Sequence, residues 1–216
     1  MIVSTKAGAI RGLYAIIDST YIAPDNFAAV ARNILKGGCR IIQVRVKGFP
    51  IEDIMEEIRE ARDAVVSGGG IFIVNDSSFA ALESGADGVH IGQCDGSPEE
   101  ARRILGAHAV IGVSTHNVRE ALEAEANGAD YISFGPVFPT RTKKDADEPK
   151  GLAALTEVAD AVNIPVVAIG GITVATAHEV LLCGASATAI ISDILLSGDI
   201  AGRVAAVISA INRPHG

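Results

Sequence analysis

Eight short apolar runs alternate with longer amphipathic segments along this chain. The runs are rich in Val, Ile and Leu, and each ends in a polar residue or a glycine. Such short runs predict buried strands, whereas the segments between them have the periodicity of helices. The predicted strands are Leu13–Asp18, Ile41–Arg45, Ile71–Asn75, Gly88–Ile91, Val110–Ser114, Tyr131–Gly135, Val166–Ile169 and Thr188–Ile191.

Helices are predicted between these strands, and several have recognisable ends. Asp25 or Asn26 can cap the first helix, and Ser97 offers a cap before a helix that begins with a proline. Gly-Ala-Asp or a variant closes three helices, because glycine accepts the left-handed conformation of a helix end. The predicted helices are Phe27–Lys36, Ile51–Val66, Glu99–Leu105, Val118–Ala126, Leu152–Val162, Ala175–Leu182 and Ile200–Asn212.

The order of the elements predicts the fold class. Strands that are apolar on both faces, such as Val166–Ile169, belong in a parallel sheet covered by helices. Eight of them without an odd hairpin predict closure into a (β/α)8 TIM barrel, in one domain spanning residues 1–216. The alternative is an open doubly wound sheet, whose first turn usually carries Gly-x-Gly-x-x-Gly; here that turn reads Asp18-Ser19-Thr20.

Charge and cysteine content narrow the classes of partner. The net charge is −8 and no Lys/Arg cluster of the kind that tracks a nucleic-acid phosphate backbone is present, which argues against a nucleic-acid surface. The N-terminal residues lack a signal-peptide pattern, and the longest uncharged stretch is broken by Pro and Gly, so we expect a soluble protein with no membrane span. Three distant cysteines with no Cys-x-x-Cys pair fit a reducing cytoplasm. Assembly into a homo-oligomer stays open.

Polar residues collect where the predicted strands end. In a parallel barrel these ends form one mouth, where active sites lie. Ile41, Gln43 and Arg45 alternate onto one face of the second strand, so the glutamine and the arginine are expected to point into the mouth, with Lys47 just beyond. The alternative for Arg45 is an internal ion pair, because a cation inside a barrel is expensive without a partner.

Two aspartates follow neighbouring strands. Asp76 comes directly after the third strand and Asp95 four residues after the fourth. Two carboxylates can converge on one Mg²⁺, which takes its remaining ligands from water and substrate phosphate. The alternative is that each caps a helix, Asp76 near Phe79 and Asp95 near Ser97.

Later strands end in two further features. A polar loop at 135–145 contains two threonines and three cations, and at the mouth it predicts a lid over an anionic substrate rather than a solvated surface. Gly170-Gly171 and Ile191-Ser192 follow the last two strands, where barrels often bind phosphate through backbone N–H groups. The sequence thus predicts two anion sites in one mouth, which suits an enzyme that joins a diphosphate ester to a monophosphate.

Several stretches occur in a fixed order: Gln43-Val-Arg45-Val-Lys47-Gly48, Val74-Asn75-Asp76, Gly88-Val-His-Ile-Gly-Gln-Cys-Asp95, Gly112-Val-Ser114-Thr-His116, Gly135-Pro-Val-Phe-Pro-Thr140-Arg-Thr142-Lys143, Gly151 and Ala168-Ile-Gly-Gly171-Ile172. This ordered set resembles the thiamine phosphate synthase family from Leu13 to about Leu195. The resemblance implies a transferase that condenses 4-amino-2-methyl-5-hydroxymethylpyrimidine diphosphate with thiazole phosphate, or its carboxylate, to give thiamine phosphate and pyrophosphate.

The resemblance also implies residue roles. Gln43 and Ser114 would hold the pyrimidine, and Asp76 and Asp95 would bind Mg²⁺. Pyrophosphate would leave first, and the thiazole nitrogen would capture the resulting carbocation, with no protein nucleophile. The groups implied to bind the diphosphate are Arg45, Lys47, Asn75 and Lys143, and those implied to bind the thiazole phosphate are Thr140, Thr142, Gly171, Ile191 and Ser192.

The chain departs from the family pattern at three places. Val46 and Cys94 stand where acidic residues are usual, and Ser186-Ala187 replaces Asp-Gly before the last strand. None of these removes an implied substrate ligand. Two alternatives remain: a related thiazole tautomerase, for which His116 would be an acid or base, and a non-catalytic barrel that binds thiamine precursors.

Overall fold

The computed structural model describes residues 7–140, 142 and 148–213. Eight parallel strands form a closed barrel in sequence order, and the last strand pairs with the first. This confirms the TIM barrel and rules out the open doubly wound sheet. The strands are β1 (Gly12–Asp18), β2 (Ile41–Arg45), β3 (Ile71–Asn75), β4 (Gly88–Ile91), β5 (Val110–Thr115), β6 (Tyr131–Phe134), β7 (Val166–Ile169) and β8 (Ala187–Ile190).

Helices cover the outside of the barrel. They are α1 (Phe27–Lys36), α2 (Met55–Ser67), α3 (Ser78–Ser84), α4 (Pro98–Leu105), α5 (Val118–Ala126), α6 (Gly151–Ala161), α7 (Ala177–Leu182), α8 (Ser192–Leu195) and α9 (Ile200–Ile211). Sequence reasoning assigned no bounds to α3 and α8, which are too short for a clear helical period. No helix in the described part of the chain is long and apolar enough to cross a membrane.

Helix starts agree with the capping predictions in one case and not in another. Ser97 accepts a hydrogen bond from the Glu100 amide, as predicted. The prediction for α1 is wrong, because Asn26 makes no side-chain cap bond. A 3-10 turn at Pro24–Asn26 runs directly into this helix, so Asn26 already has helical backbone angles and its side chain is not placed over the first turn.

Alternate strand residues point into the barrel and create two packed layers. The outward side chains pack against the helices, and the inward ones form a second cluster that contains Tyr14, Ile73 and Tyr131. At the opposite end from the mouth, aspartates tie neighbouring strands together: Asp87 accepts from the Phe72 amide at 2.8 Å, and Asp130 from the Ile111 amide at 2.8 Å. These residues explain why Gly-Ala-Asp precedes strands: the glycine ends the helix and the carboxylate fixes the next strand pair.

Candidate active site

A cavity of about 720 Å³ opens at the carboxyl ends of the strands. That volume suits a small-molecule site. Lys47, Asp76 and Asp95 lie beside it on the loops after β2, β3 and β4, and Lys143 falls outside the described residues. The other predicted site residues line the cavity, namely Gln43, Arg45, Asn75, Ser114, Thr140, Thr142, Gly171, Ile191 and Ser192.

Arg45 reaches the cavity while paired with a buried carboxylate. Its Nη1 donates to Asp18 Oδ2 at 2.6 Å, and the Asp18 side chain is 0% exposed. The Thr20 amide donates to the other carboxylate oxygen of Asp18 at 2.8 Å, which fixes the carboxylate in turn. Arg45 is therefore in an internal ion pair, as the alternative interpretation expected, and it also lines the cavity. The pairing neutralises the buried charge and sets the direction of the remaining N–H groups.

Gln43 and Asn75 meet across β2 and β3. The amide nitrogen of Gln43 donates to Asn75 Oδ1. This bond uses one of the two N–H groups of Gln43, so its amide oxygen is left to accept from a ligand and its second N–H to donate to one. The Asn75 amide nitrogen, in turn, is left to donate to one. The pair thus offers an acceptor and a donor from adjacent strand ends.

A cation and two carboxylates form a cluster beside this pair. Lys47 Nζ lies 2.7 Å from Asp76 Oδ2, and Asp76 adopts a positive φ of 67°. Partial burial raises the pKa of Asp95; the neighbouring Asp76 raises it further, while the Gly92 amide and Lys47 act in the opposite direction. Because the charge of Asp76 disfavours ionisation of Asp95, the two carboxylates favour binding a cation that neutralises both.

The acidic cluster fits a magnesium ion. In the described part of the chain no group of three or more His, Cys, Asp or Glu forms a complete metal cage. Mg²⁺ does not need one, because it is commonly held by one or two carboxylates and by substrate phosphate oxygens. The capping alternatives are wrong: Ser77 and Ser97 cap α3 and α4 with their own hydroxyls, so neither aspartate is used for this.

The glycines after β7 are required by the loop that packs on them. Gly170 and Gly171 both have positive φ, at 100° and 64°. A Cβ at Gly170 would lie 2.5 Å from Pro136 Cα, and one at Gly171 would lie 2.4 Å from the Pro139 carbonyl oxygen. Side chains are excluded at both positions, which keeps this wall of the cavity open to an anion that binds backbone N–H groups.

The predicted lid is described only in part. Thr140 and Thr142 line the cavity, and the Thr142 amide donates to Thr140 Oγ1 at 3.3 Å. Arg141 and residues 143–147 lie outside the described residues. The two threonines to which the family resemblance implies a thiazole contact therefore lie at the cavity, and the lid remains a prediction.

Sequence reasoning did not find a column of polar groups in the barrel interior, which we call the interior column: Tyr14, Tyr131, His90, Ser133 and Ser114. The two tyrosine hydroxyls are 2.9 Å apart, and Tyr131 Oη lies 3.0 Å from His90 Nδ1. His90 Nε2 lies 3.0 Å from Ser114 Oγ and 3.2 Å from Ser133 Oγ. All five residues line the cavity. Burial raises the pKa of both tyrosines well above the usual value, so both stay protonated.

A signal for this column exists in the sequence. Gly88 and His90 lie two residues apart on β4, as do Tyr131 and Ser133 on β6. Residues two apart on a strand share a face, so the polar side chains all point inward. A tyrosine on a strand is equally typical of an apolar core, so these polar groups were not recognised from the sequence.

His116 has partners of its own at the start of α5. Its Nδ1 lies 2.9 Å from Glu120 Oε2, and Asn117 caps the helix by accepting from the Glu120 amide. Burial alone would raise the pKa of Glu120, but hydrogen bonds from His116 and Asn117 outweigh it and hold the pKa below its usual value. This arrangement resembles a capping box, except that Glu120 accepts from the backbone amide of His116 at 2.9 Å rather than from that of the N-cap residue, and it agrees with a structural role.

Comparison with known proteins gives one consistent result. The sequence model that describes the thiamine monophosphate synthase family matches residues 13–194 of this chain. The chain is 44% identical over 190 residues to the thiamine-phosphate synthase of Clostridium novyi, covering 88% of this chain and 93% of that protein. It is 44% identical over 200 residues to that of Methanocella arvoryzae, covering 91% and 94%. The thiamine phosphate pyrophosphorylase structure from Pyrococcus furiosus superimposes with a TM-score of 0.84 at 36% identity, covering 93% and 95%.

Proposed function

Because the chain belongs to the thiamine monophosphate synthase family, we propose that its barrel mouth joins the aminopyrimidine diphosphate to a thiazole phosphate. The products are thiamine phosphate and pyrophosphate, and the enzyme is a transferase. The observation that carries this proposal is the division of one cavity into a side rich in cations and carboxylates and a side of bare glycine backbone. A diphosphate and a monophosphate need those two different surfaces.

The diphosphate would bind to Arg45, Lys47 and Asn75. Asp18 already fixes the orientation of the Arg45 side chain, so little conformational entropy is lost when the remaining N–H groups of Arg45 bind phosphate oxygens. Lys47 would exchange its contact with Asp76 for the diphosphate. Lys143, on the lid, would complete the set. These cations hold the leaving group and stabilise the charge that builds on it as the carbon–oxygen bond breaks.

Asp76 and Asp95 would hold Mg²⁺, freed from Lys47 when the diphosphate takes that cation. Bound there, Mg²⁺ would supply further neutralisation of the departing pyrophosphate. The Gly92 amide, which donates to Asp95 Oδ2 at 2.9 Å, keeps this carboxylate in place.

The two rings would lie deeper and on opposite walls. Gln43 and Ser114 hold the pyrimidine, and Thr140 with Thr142 contact the thiazole, whose phosphate rests on the backbone N–H groups of Gly171, Ile191 and Ser192. The pyrimidine stabilises the carbocation left by the departing pyrophosphate. The thiazole nitrogen then donates its electron pair to that carbon, forming the new carbon–nitrogen bond without any protein nucleophile.

The alternatives from the sequence gain no support. The relatives named above are synthases, and so is the protein of the superimposed structure, which supports neither a tautomerase nor a non-catalytic barrel. The partners in this proposal are small molecules, with no role for nucleic acid or a membrane. Its place is the cytoplasm, which suits three free cysteines.

The proposal is tested by incubating the protein with both substrates and Mg²⁺ and measuring pyrophosphate and thiamine phosphate together. We expect both products in equal amounts, and their loss when Mg²⁺ is removed. Asp95→Asn should abolish turnover, whereas Asp63→Asn, which removes an exposed carboxylate on α2, should leave it unchanged. Absence of both products in the wild-type protein, under conditions where another member of the family turns over, would contradict the proposal.

A further inference from the structure

The interior column connects the buried floor of the barrel to Ser114, which faces the cavity. The links that lead from Tyr14 through Tyr131 and His90 to Ser114 are short, from 2.9 Å between the tyrosine hydroxyls to 3.0 Å between His90 Nε2 and Ser114 Oγ. A neutral imidazole has one nitrogen that donates and one that accepts. The tautomer of His90 therefore decides whether Ser114 accepts a hydrogen bond from His90 or donates one to it.

The direction of the hydrogen bonds follows from the closed end of the column. Among the described residues, the hydrogen-bond partner of the Tyr14 hydroxyl is Tyr131. A buried hydroxyl hydrogen without an acceptor is costly, so Tyr14 donates to Tyr131. The Tyr131 hydrogen is then directed to His90 Nδ1, which must accept it. His90 consequently carries its proton on Nε2 and donates to Ser114 Oγ at 3.0 Å, which is nearer than Ser133 Oγ at 3.2 Å, while Ser133 Oγ donates to Ser114 Oγ at 3.5 Å.

This direction gives Ser114 a defined polarity. Once Ser114 Oγ accepts from His90, its own hydrogen is free to donate to a ligand in the cavity. With the opposite tautomer, Ser114 would donate to His90 Nε2 and present only a lone pair to the ligand. In an aminopyrimidine the ring nitrogens accept and the exocyclic amine donates, so the two polarities of Ser114 select different orientations of the ring.

We propose that His90 is a positioning residue, held with its proton on Nε2 by Tyr14 and Tyr131, and that it makes Ser114 a hydrogen-bond donor to a ring nitrogen of the pyrimidine. The identity of the ring rests on the proposed function, whereas the tautomer does not. A neutral hydroxyl donor is too weak an acid to protonate the ring. The ring thus keeps the electron density that stabilises the developing carbocation.

The tautomer is tested first, by ¹⁵N NMR of protein labelled at its histidines. The chain has five histidines, and His90→Gln identifies the His90 signals by their loss. We expect a proton on Nε2 and none on Nδ1 in the wild type. Tyr131→Phe, which removes a single hydroxyl, should abolish that preference. A wild-type His90 that carries a proton on Nδ1, alone or together with Nε2, would overturn the proposal.

The polarity of Ser114 is tested with substrate analogues in which one or the other ring nitrogen is replaced by CH. For the analogue that lacks the ring nitrogen bound by Ser114, we expect the wild-type kcat/KM to be about tenfold lower than for the unmodified substrate, which is the effect of one lost hydrogen bond. Ser114→Ala, Tyr131→Phe and His90→Leu should bring this ratio close to one. His90→Gln should restore part of it, since its amide can donate from the position of Nε2.

A merely structural role for the column would lower kcat/KM for parent and analogue alike and leave their ratio at the wild-type value. That result would overturn the proposal. A wild-type protein with the expected tautomer but no turnover would instead contradict the proposed function, so the two failures are distinguishable.

Discussion

Two buried arginine–aspartate pairs sit at opposite ends of the barrel and show how one interaction serves two purposes. At the mouth Arg45 lies 2.6 Å from Asp18, and at the other end Arg102 lies 2.8 Å from Asp130. The aspartate side chains are 0% and 3% exposed, and each also accepts a backbone amide. Both carboxylates are thus held by an arginine and a backbone amide, Asp18 through its two oxygens and Asp130 through Oδ2 alone.

The arginines differ in what else they bond. Arg102 also donates to the carbonyls of Ala109 and Gly128, so protein groups take up most of its hydrogens. Arg45 makes no such carbonyl contact within the described residues and faces the cavity instead. A saturated arginine holds the fold together, whereas one that keeps donors in reserve is ready for a ligand.

Removing Arg45 should have the largest effect on catalysis. Arg45→Met is expected to lower kcat/KM by about 10²- to 10³-fold, because an aligned cation next to the leaving group is lost. Asp18 also loses its charge partner in this variant, so the free energy of unfolding should fall as well, and circular dichroism checks that the barrel is still folded. A fall smaller than about threefold in a folded protein would remove the distinction between the two arginines.

Removing Arg102 should affect stability but not catalysis. In Arg102→Met the buried Asp130 loses its charge partner, and the free energy of unfolding should fall by about 2 kcal/mol, less than for a fully buried pair because Arg102 is partly exposed. Denaturant titration measures this, and kcat/KM of the remaining folded protein should stay within twofold. A comparable loss of activity would mean that the lower end of the barrel also controls the site.

Asp18 sharpens the comparison at the mouth. Asp18→Asn keeps an acceptor for the Thr20 amide but removes the charge that orients Arg45. We expect kcat/KM to fall about tenfold, mainly through a higher KM for the diphosphate substrate, since a misplaced cation costs about one charged hydrogen bond. The exposed Asp25→Asn serves as a control for loss of charge. An unchanged KM would show that Arg45 needs no partner.

The smallest expected effect concerns Glu120. Hydrogen bonds within the protein lower the pKa of this carboxyl, so its charged form stabilises the fold. A depressed pKa in the folded state adds stability at neutral pH, which is lost as the pH falls below about 4. Glu120→Gln should therefore cost about 0.5–1 kcal/mol of unfolding free energy at pH 7, and this difference should shrink towards pH 3. A difference that does not change with pH would show that the charge is not responsible.

Much of the fold follows from local pattern. Strand bounds are predicted to within one residue because apolar runs end abruptly at polar residues or glycine. The short helix α3 has only seven residues and α8 only four, so neither gives a clear helical period. Turn chemistry was misjudged at Asn26, where a 3-10 turn replaces a side-chain cap.

The site was predictable only where a residue stands at a strand end. Gln43 and Arg45 are found this way, since strand ends share one face. Their partners are not: Asp18 meets Arg45 through the β1–β2 register, and His90 meets Tyr131 across the barrel interior. Such contacts depend on the pairing and register of the strands, which bring together residues distant in sequence.

The central claim is that Arg45 keeps donors for a diphosphate while Arg102 does not. The most direct measurement is the calorimetric affinity of the protein for pyrophosphate in the presence of Mg²⁺. We predict that Arg45→Met binds pyrophosphate at least about tenfold more weakly than the wild type, and that Arg102→Met binds it equally well. Equal affinities in all three proteins would contradict the account.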